Sequence, residues 1–321
     1  MIFSKDDLLI IFQKLAQPEY LARINPLALT GSSRVRSRWN RTPPSLRYWG
    51  QIPIVHERIN QRISGLPNIG FREFVCGKYF NDGRRRIALS LGCGAGGREI
   101  DWAKLNVFDS ITGMDISPNQ IHLAQTNAVL AGVSERVHFV VGDVNSKSFG
   151  DQKFDVIIFE HSLHHFKDIA NLLQYIKSLL KPGGYLLLDE YVGPTRFQWT
   201  KRQIMFADEV LKAIPEKFRR IGSRVKSRNL LAGELLMWLN DPSEAIESDS
   251  IRPEVERQFK VLQRCDYGGT LSHLIFHDIA FNFATKDAEA LFWAKSVLDI
   301  EEILINKNIL TSDFSCYVCT N

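Results

Sequence analysis

Short apolar runs bounded by turn residues set the rhythm of this chain between residues 84 and 192. Residues 87–91 read Ile-Ala-Leu-Ser-Leu and break into Gly-Cys-Gly-Ala-Gly-Gly, after which 98–105 are good helix formers. Similar runs recur at 110–116, 136–141, 154–159 and 185–188. Apolar runs of this length predict buried parallel strands. The stretches between them predict crossover helices, so the segment is read as an open, doubly wound α/β sheet. Pro182 ends the last crossover helix, and Gly183-Gly184 make the turn into the fifth strand.

Outside that segment the pattern changes. Leu8, Leu9, Phe12 and Leu15 have helical spacing, and residues 31–47 are polar, with Arg34, Arg36, Arg38, Arg41 and Arg47 around Trp39 and Pro43-Pro44. Tyr48 and Trp49 then precede Pro53 and a helix carrying Val55, Ile59 and Ile63. The two aromatics either close over a ligand or staple that helix. Residues 193–258 are read as mostly helical and aromatic-rich, 258–264 as a sixth strand, 272–283 and 286–307 as helices, and 314–319 as an antiparallel last strand. The expected divisions are an N-terminal helical cap with a basic loop (1–83), a ligand-binding core (84–192), a helical lid (193–258) and the rest of the core sheet (259–321).

The strand ends carry the chemistry. Glycines let a backbone turn tightly and let a ligand approach without a Cβ in the way. Gly92, Gly94 and Gly97 satisfy G-x-G-x-x-G, while Gly92, Gly94 and Gly96 satisfy G-x-G-x-G, which suits a ligand without a pyrophosphate. Asp115 ends the second strand, where a carboxylate can accept from both hydroxyls of a ribose. Asp143 ends the third, placed to accept from an exocyclic amine such as that of adenine. Neither acid has a basic neighbour, which favours free ribose hydroxyls over a ribose phosphate.

The ordered set Leu-Gly-Cys-Gly-Ala-Gly, Gly-Met-Asp-Ile-Ser, Val-Gly-Asp-Val, Phe-Asp-Val-Ile and Leu-Lys-Pro-Gly-Gly resembles class I S-adenosylmethionine-dependent methyltransferases over residues 84–192. The resemblance implies a Rossmann-like fold with an antiparallel last strand. It also implies that the cofactor is S-adenosyl-L-methionine. The glycine turn would hold its methionine part, Asp115 the ribose, Ile116 a face of the adenine and Asp143 the adenine amine. Gly142, Val144 and Glu160 are assigned to the cofactor with them. One position departs from the family pattern: an acid commonly stands two residues before the first glycine, and this chain has Ser90. Tyr-Trp-Gly-Gln-Ile-Pro before the core, and Glu-Tyr-Val-Gly-Pro and Phe-Gln-Trp-Thr after it, look like bacterial methyltransferases of small molecules.

In such folds the end of the fourth strand faces the reacting methyl. There the chain supplies Glu160, His161, His164 and His165. Histidine titrates near neutrality and suits a general base, so His161 is the first candidate, His165 the second, and Glu190 joins them as a group that orients substrate. Tyr191, Trp199, His273 and His277 are assigned to the substrate side. His273 and His277 stand four apart, as a metal pair on one helix face would, but no further ligand accompanies them and no metal is expected. Cys316 and Cys319 form a C-x-x-C without a second pair.

Composition changes this picture little. The 321 residues are 45% hydrophobic and 24% charged, with 40 basic and 36 acidic side chains giving a net charge of +4. That is a large globular core with no strong electrostatic demand for nucleic acid. No apolar run is long enough to span a bilayer. Acids at Asp6 and Asp7 argue against a signal peptide, and five cysteines suit a reducing cytoplasm. The expectation is a cytoplasmic enzyme methylating a hydroxyl or amine of a small molecule, such as a natural product or a glycoside-like metabolite. Two alternatives stay open: an RNA methyltransferase using the 34–47 segment, and a non-catalytic relative that binds the cofactor. A nicotinamide oxidoreductase is allowed by the glycine spacing but opposed by Gly142-Asp143 and Lys181-Pro-Gly-Gly184.

Overall fold

A computed structural model describes residues 2–15, 35–36, 48–146 and 149–321. Most of the basic segment, including Arg34, Arg38, Trp39, Arg41, Pro43, Pro44 and Arg47, lies outside the described residues. The central sheet has seven strands: β1 (Arg86–Leu91), β2 (Phe108–Asp115), β3 (Val137–Val141), β4 (Phe154–Glu160), β5 (Leu180–Tyr191), β6 (Lys260–Gly268) and β7 (Phe314–Thr320). Their order is β3-β2-β1-β4-β5-β7-β6. The β1–β5 pairs are parallel, and β7 runs antiparallel between β5 and β6. The order reverses between β1 and β4, which opens a crevice beyond the carboxyl ends of those strands.

Helices cover both faces. Strand alternation sends Val156 and Ile158 of β4 to one core and Ile157 and Phe159 to the other. The first core packs under α2 (Pro53–Ser64), α3 (Phe71–Tyr79), α4 (Gly97–Lys104), α5 (Pro118–Leu130) and, further along the chain, the 19-residue helix Ala288–Asn306. The second packs under α6 (Ile169–Leu179) and the helix Ser248–Gln258. Pro53 opens α2 at its first turn, where the missing N–H has no helical partner to lose.

The segment after β5 contains α7 (Lys201–Ala213), a two-residue hairpin pairing Arg220–Ile221 with Arg224–Val225, α8 (Glu234–Asn240) and α9 (Ser248–Gln258). The N-terminal helix α1 (Asp7–Leu15) docks on this segment through its acids. Asp6 pairs with Arg228 at 2.7 Å, and Asp7 accepts the Gly233 N–H at 2.7 Å. Its apolar residues do not form the buried face their spacing predicts, because Leu8 and Phe12 are exposed and Ile10 is the buried one. The helix expected over 272–283 is also broken. α10 (Ser272–Phe276) ends early, His277 leaves the helical conformation and Asp278 is left-handed, before a 3-10 turn at Ala280–Asn282. Helix α11 (Ala288–Asn306) follows.

All five cysteines are free thiols. Cys316 and Cys319 fall on opposite faces of β7 and enter different cores, so their spacing makes no ligand or redox pair. Among the described residues no helix is long and apolar enough to cross a membrane.

Candidate active site

The glycine turn is tied to the end of β2. The N–H groups of Gly92 and Cys93 both donate to the Met114 carbonyl, at 2.8 and 3.1 Å. Gly92, Gly94 and Gly96 all have positive φ, so glycine is required by backbone conformation. A Cβ at Gly92 would stand 2.6 Å from that of Ser162, and one at Gly96 would stand 2.5 Å from the Phe139 ring, whereas one at Gly94 would meet nothing within 4 Å. Two glycines therefore answer to packing, and the third borders open space. Gly94 N–H donates to Asp115 Oδ2 at 2.9 Å, and Ser117 N–H to Oδ1 at 2.8 Å. Each carboxylate oxygen can accept about two bonds, so both keep capacity for a ligand. Burial raises the Asp115 carboxyl, and these N–H groups work against that rise. Ile116 lies between them, half-buried. At the end of β3, Gly142 donates to the Asp115 carbonyl at 3.0 Å. The Asp143 carbonyl accepts from the Ser146 N–H and hydroxyl, and Val144 is buried behind.

The end of β4 is held by several buried hydrogen bonds. Glu160 accepts from Trp102 Nε1 at 2.5 Å and from Arg72 through both oxygens, at 3.2 and 2.5 Å. It therefore anchors α3 and α4 to the sheet. His161 sits at φ +52, a strained conformation that functional sites often hold. Its Nε2 is 3.5 Å from the Tyr48 hydroxyl and 3.6 Å from Asp189 Oδ2, and Tyr267 donates to the other Asp189 oxygen at 2.5 Å. Burial, reinforced by the positive charge of Arg98, lowers the His161 imidazole to about 3, so it is neutral near pH 7.

Glu190 is fully buried, and both its oxygens are bonded within the protein. Oε1 accepts the N–H groups of Ser162 and Leu163, at 2.7 and 2.6 Å, and Oε2 lies 2.7 Å from His164 Nδ1. The residue thus holds the 3-10 turn Leu163–His165 in place. His164 packs tilted against His165 with centroids 4.2 Å apart, and His165 Nδ1 is 3.3 Å from the Ser243 hydroxyl. Together with Glu244 they offer three ligand atoms within 4.8 Å of one another.

Phe314, at the start of β7, is the hub of the aromatic wall. It meets Trp49, Tyr191 and His273 at 5.2, 5.2 and 5.4 Å and His161 at 6.0 Å. Phe197 and Trp199 stack in parallel beside His273. His273 Nδ1 and Trp49 Nε1 are buried with no hydrogen-bond partner. Tyr191 donates its hydroxyl to the Pro194 carbonyl at 3.0 Å. His277 does not join this group. The break after Phe276 leaves it exposed, so the two histidines share no helix face.

Residues 89–188 match the family described as a methyltransferase domain. This part of the chain is a class I S-adenosylmethionine-dependent methyltransferase domain. The chain is 35% identical over 121 residues to phosphoethanolamine N-methyltransferase 1 of Arabidopsis thaliana, covering 37% of this chain and 23% of that protein. It is 35% identical over 104 residues to 27-O-demethylrifamycin SV methyltransferase of Amycolatopsis mediterranei (strain S699), covering 32% and 38%. The chain thus spans well under two thirds of these relatives. The solved structure of geranyl diphosphate C-methyltransferase from Streptomyces coelicolor A3(2) shares the fold, with TM-score 0.52 and 12% identity over 92% of this chain and 99% of that one.

The cofactor of the methyltransferase domain is S-adenosylmethionine. The residues present fit it: the turn is open at Gly94, and Asp115 has acceptor capacity left on both oxygens. Several site residues were not singled out from the sequence. Asp189 and Tyr267 come from strands nearly 80 positions apart, and Tyr48 lies 113 positions before His161. Only the Tyr48-Trp49 pair upstream of Pro53 carried a signal.

Proposed function

We propose that the chain transfers a methyl group from S-adenosylmethionine to a hydroxyl or amine of a small molecule. The observation that carries this reading is the convergence of the open glycine turn, Asp115 and the neutral His161 at the carboxyl ends of adjacent strands. The cofactor supplies a methyl already activated on a sulfonium. The protein's task is therefore to hold the acceptor in line, keep water out and manage one proton. Neutral His161 has a lone pair to take that proton, and the Asp189 carboxylate at 3.6 Å stabilises the imidazolium that results. The Tyr48 hydroxyl lies 3.5 Å from the same nitrogen and helps to fix the ring. The aromatic wall around Phe314 suits an enclosed acceptor, and residues 193–258 act as its lid. Names among the relatives, ajmaline N-methyltransferase of Rauvolfia serpentina included, support small-molecule acceptors.

Calorimetric titration with S-adenosylhomocysteine, with NADH as comparison, tests the reading. Micromolar binding of the first alone supports it, and binding of NADH alone overturns it. For a hydroxyl acceptor, His161→Ala should lower kcat by about 100-fold or more while leaving S-adenosylhomocysteine affinity within about 2-fold. An unchanged kcat removes His161 from the mechanism.

A further inference from the structure

Glu99 lies in the first turn of α4 and is 3% exposed. Its Oε1 accepts the Ser90 hydroxyl at 2.6 Å, and its Oε2 has no hydrogen-bond partner. Among the described residues it is the one buried carboxylate oxygen left in that state. An orphaned buried carboxylate is costly, and chains keep such a group where a ligand completes it. The position two before the first glycine is Ser90, so the strand itself supplies no negative charge at the glycine turn. The other acids nearby are occupied: Glu160 by Arg72 and Trp102, and Asp115 partly by two backbone N–H groups.

We propose that Glu99 is the anionic partner of the α-ammonium of S-adenosylmethionine, with Ser90 holding its carboxylate in place. The inference rests on the methyltransferase reading. The ligand's amino-acid end carries a cation with three donors, and Glu99 Oε2 is an acceptor with a full negative charge to offer. The charge that family relatives place on the strand comes here from the first turn of the helix. The groups within electrostatic reach of Glu99 are Cys93 in the turn, Glu160 on β4 and Arg98 on its own helix. Burial raises its carboxyl to about 7, against the pull of Ser90. A bound ammonium favours the ionised form, so affinity should rise with pH across that value.

The test is calorimetric titration with S-adenosylhomocysteine and with its deaminated analogue, which keeps the carboxylate. Glu99→Gln should weaken the first about 10-fold or more and the second by less than about 2-fold, and it should flatten the rise in affinity between pH 6 and 8. Ser90→Asp added to Glu99→Gln returns the acid to the strand and should restore affinity for the amine-bearing ligand. Equal losses for both ligands, or no loss, overturn the proposal. Failure of the unmodified protein to bind S-adenosylhomocysteine overturns the methyltransferase reading itself.

Discussion

An alanine at position 96 would drive its Cβ to 2.5 Å from the Phe139 ring, at φ +78, while one at position 94 would meet nothing within 4 Å, at φ +52. Two glycines of one turn therefore have different duties. Gly96→Ala should cost about 2–4 kcal/mol of stability from strain and overpacking, read as a lowered urea midpoint. Gly94→Ala should cost only about 1 kcal/mol from its backbone, yet weaken S-adenosylhomocysteine binding by filling the open turn. Parallel losses in both variants would refute that division. The same contrast applies to acids. Asp115 keeps acceptor capacity for a ligand, so Asp115→Ala should reduce affinity at least about 10-fold, measured by calorimetry. Glu190 is fully buried, with both oxygens bonded to the turn that carries His164. Side-chain identity made these residues equal candidates, and their hydrogen-bond partners separated them.

At the scale of elements, α3 is locked to the sheet by one guanidinium. Arg72 makes a two-pronged contact with Glu160 at the end of β4, and Trp102 of α4 donates to the same carboxylate. Glu160 is nearly inaccessible, while Arg72 is about one-fifth exposed. Removing Arg72 leaves the buried Glu160 with Trp102 and the more distant Arg98, at 3.7 Å, as its partners. Arg72→Ala should therefore destabilise by about 2–4 kcal/mol in denaturant unfolding, with Arg72→Lys losing less. A loss below about 0.5 kcal/mol would place the pair with weak surface bridges. Apolar patterning misled at two elements. In α1 the acids make the anchoring contacts and leave Leu8 and Phe12 outside. After Phe276 the backbone departs from the helix although the apolar spacing continues. Lys226 donates to the Leu274, Ile275 and His277 carbonyls, satisfying the helix end that this break exposes.

For the whole molecule, two sets of buried groups oppose each other with pH. Burial lowers His161, His164 and His273 to about 3. The unfolded chain thus binds protons that the folded one refuses, and their contribution to stability is lost as pH falls from about 6.5 toward 3. Burial raises Asp313 and Glu99 to about 7. These hold protons more tightly when folded, and their contribution is lost as pH rises from about 4 to 7. Asp313→Asn removes one of the second set while leaving an acceptor for Gln203. Its unfolding free energy relative to the unmodified protein should climb across pH 4–7, by up to about 1.4 kcal/mol per pH unit. A flat difference would mean that the Asp313 carboxyl titrates alike in both states.

The strand–turn–helix order, the positive-φ glycines and the acids ending β2 and β3 were legible in the sequence because each rests on local chemistry. Burial on both faces writes an apolar run, and a tight turn writes glycine. The strand β7 was readable for the same reason, while its antiparallel direction was an expectation from the family resemblance. What the sequence left undecided depends on partners far away in the chain. Tyr48 meets His161, Tyr267 meets Asp189 and Arg72 meets Glu160 only after the sheet has brought them together. No periodicity records such pairings, because the free energy of a buried polar group depends on what surrounds it and not on its neighbours in sequence. That is why tertiary structure alone joined Glu160 to Arg72 and Trp102 and Glu190 to the Leu163–His165 turn, parted His277 from His273 and left Glu99 with an oxygen unpaired.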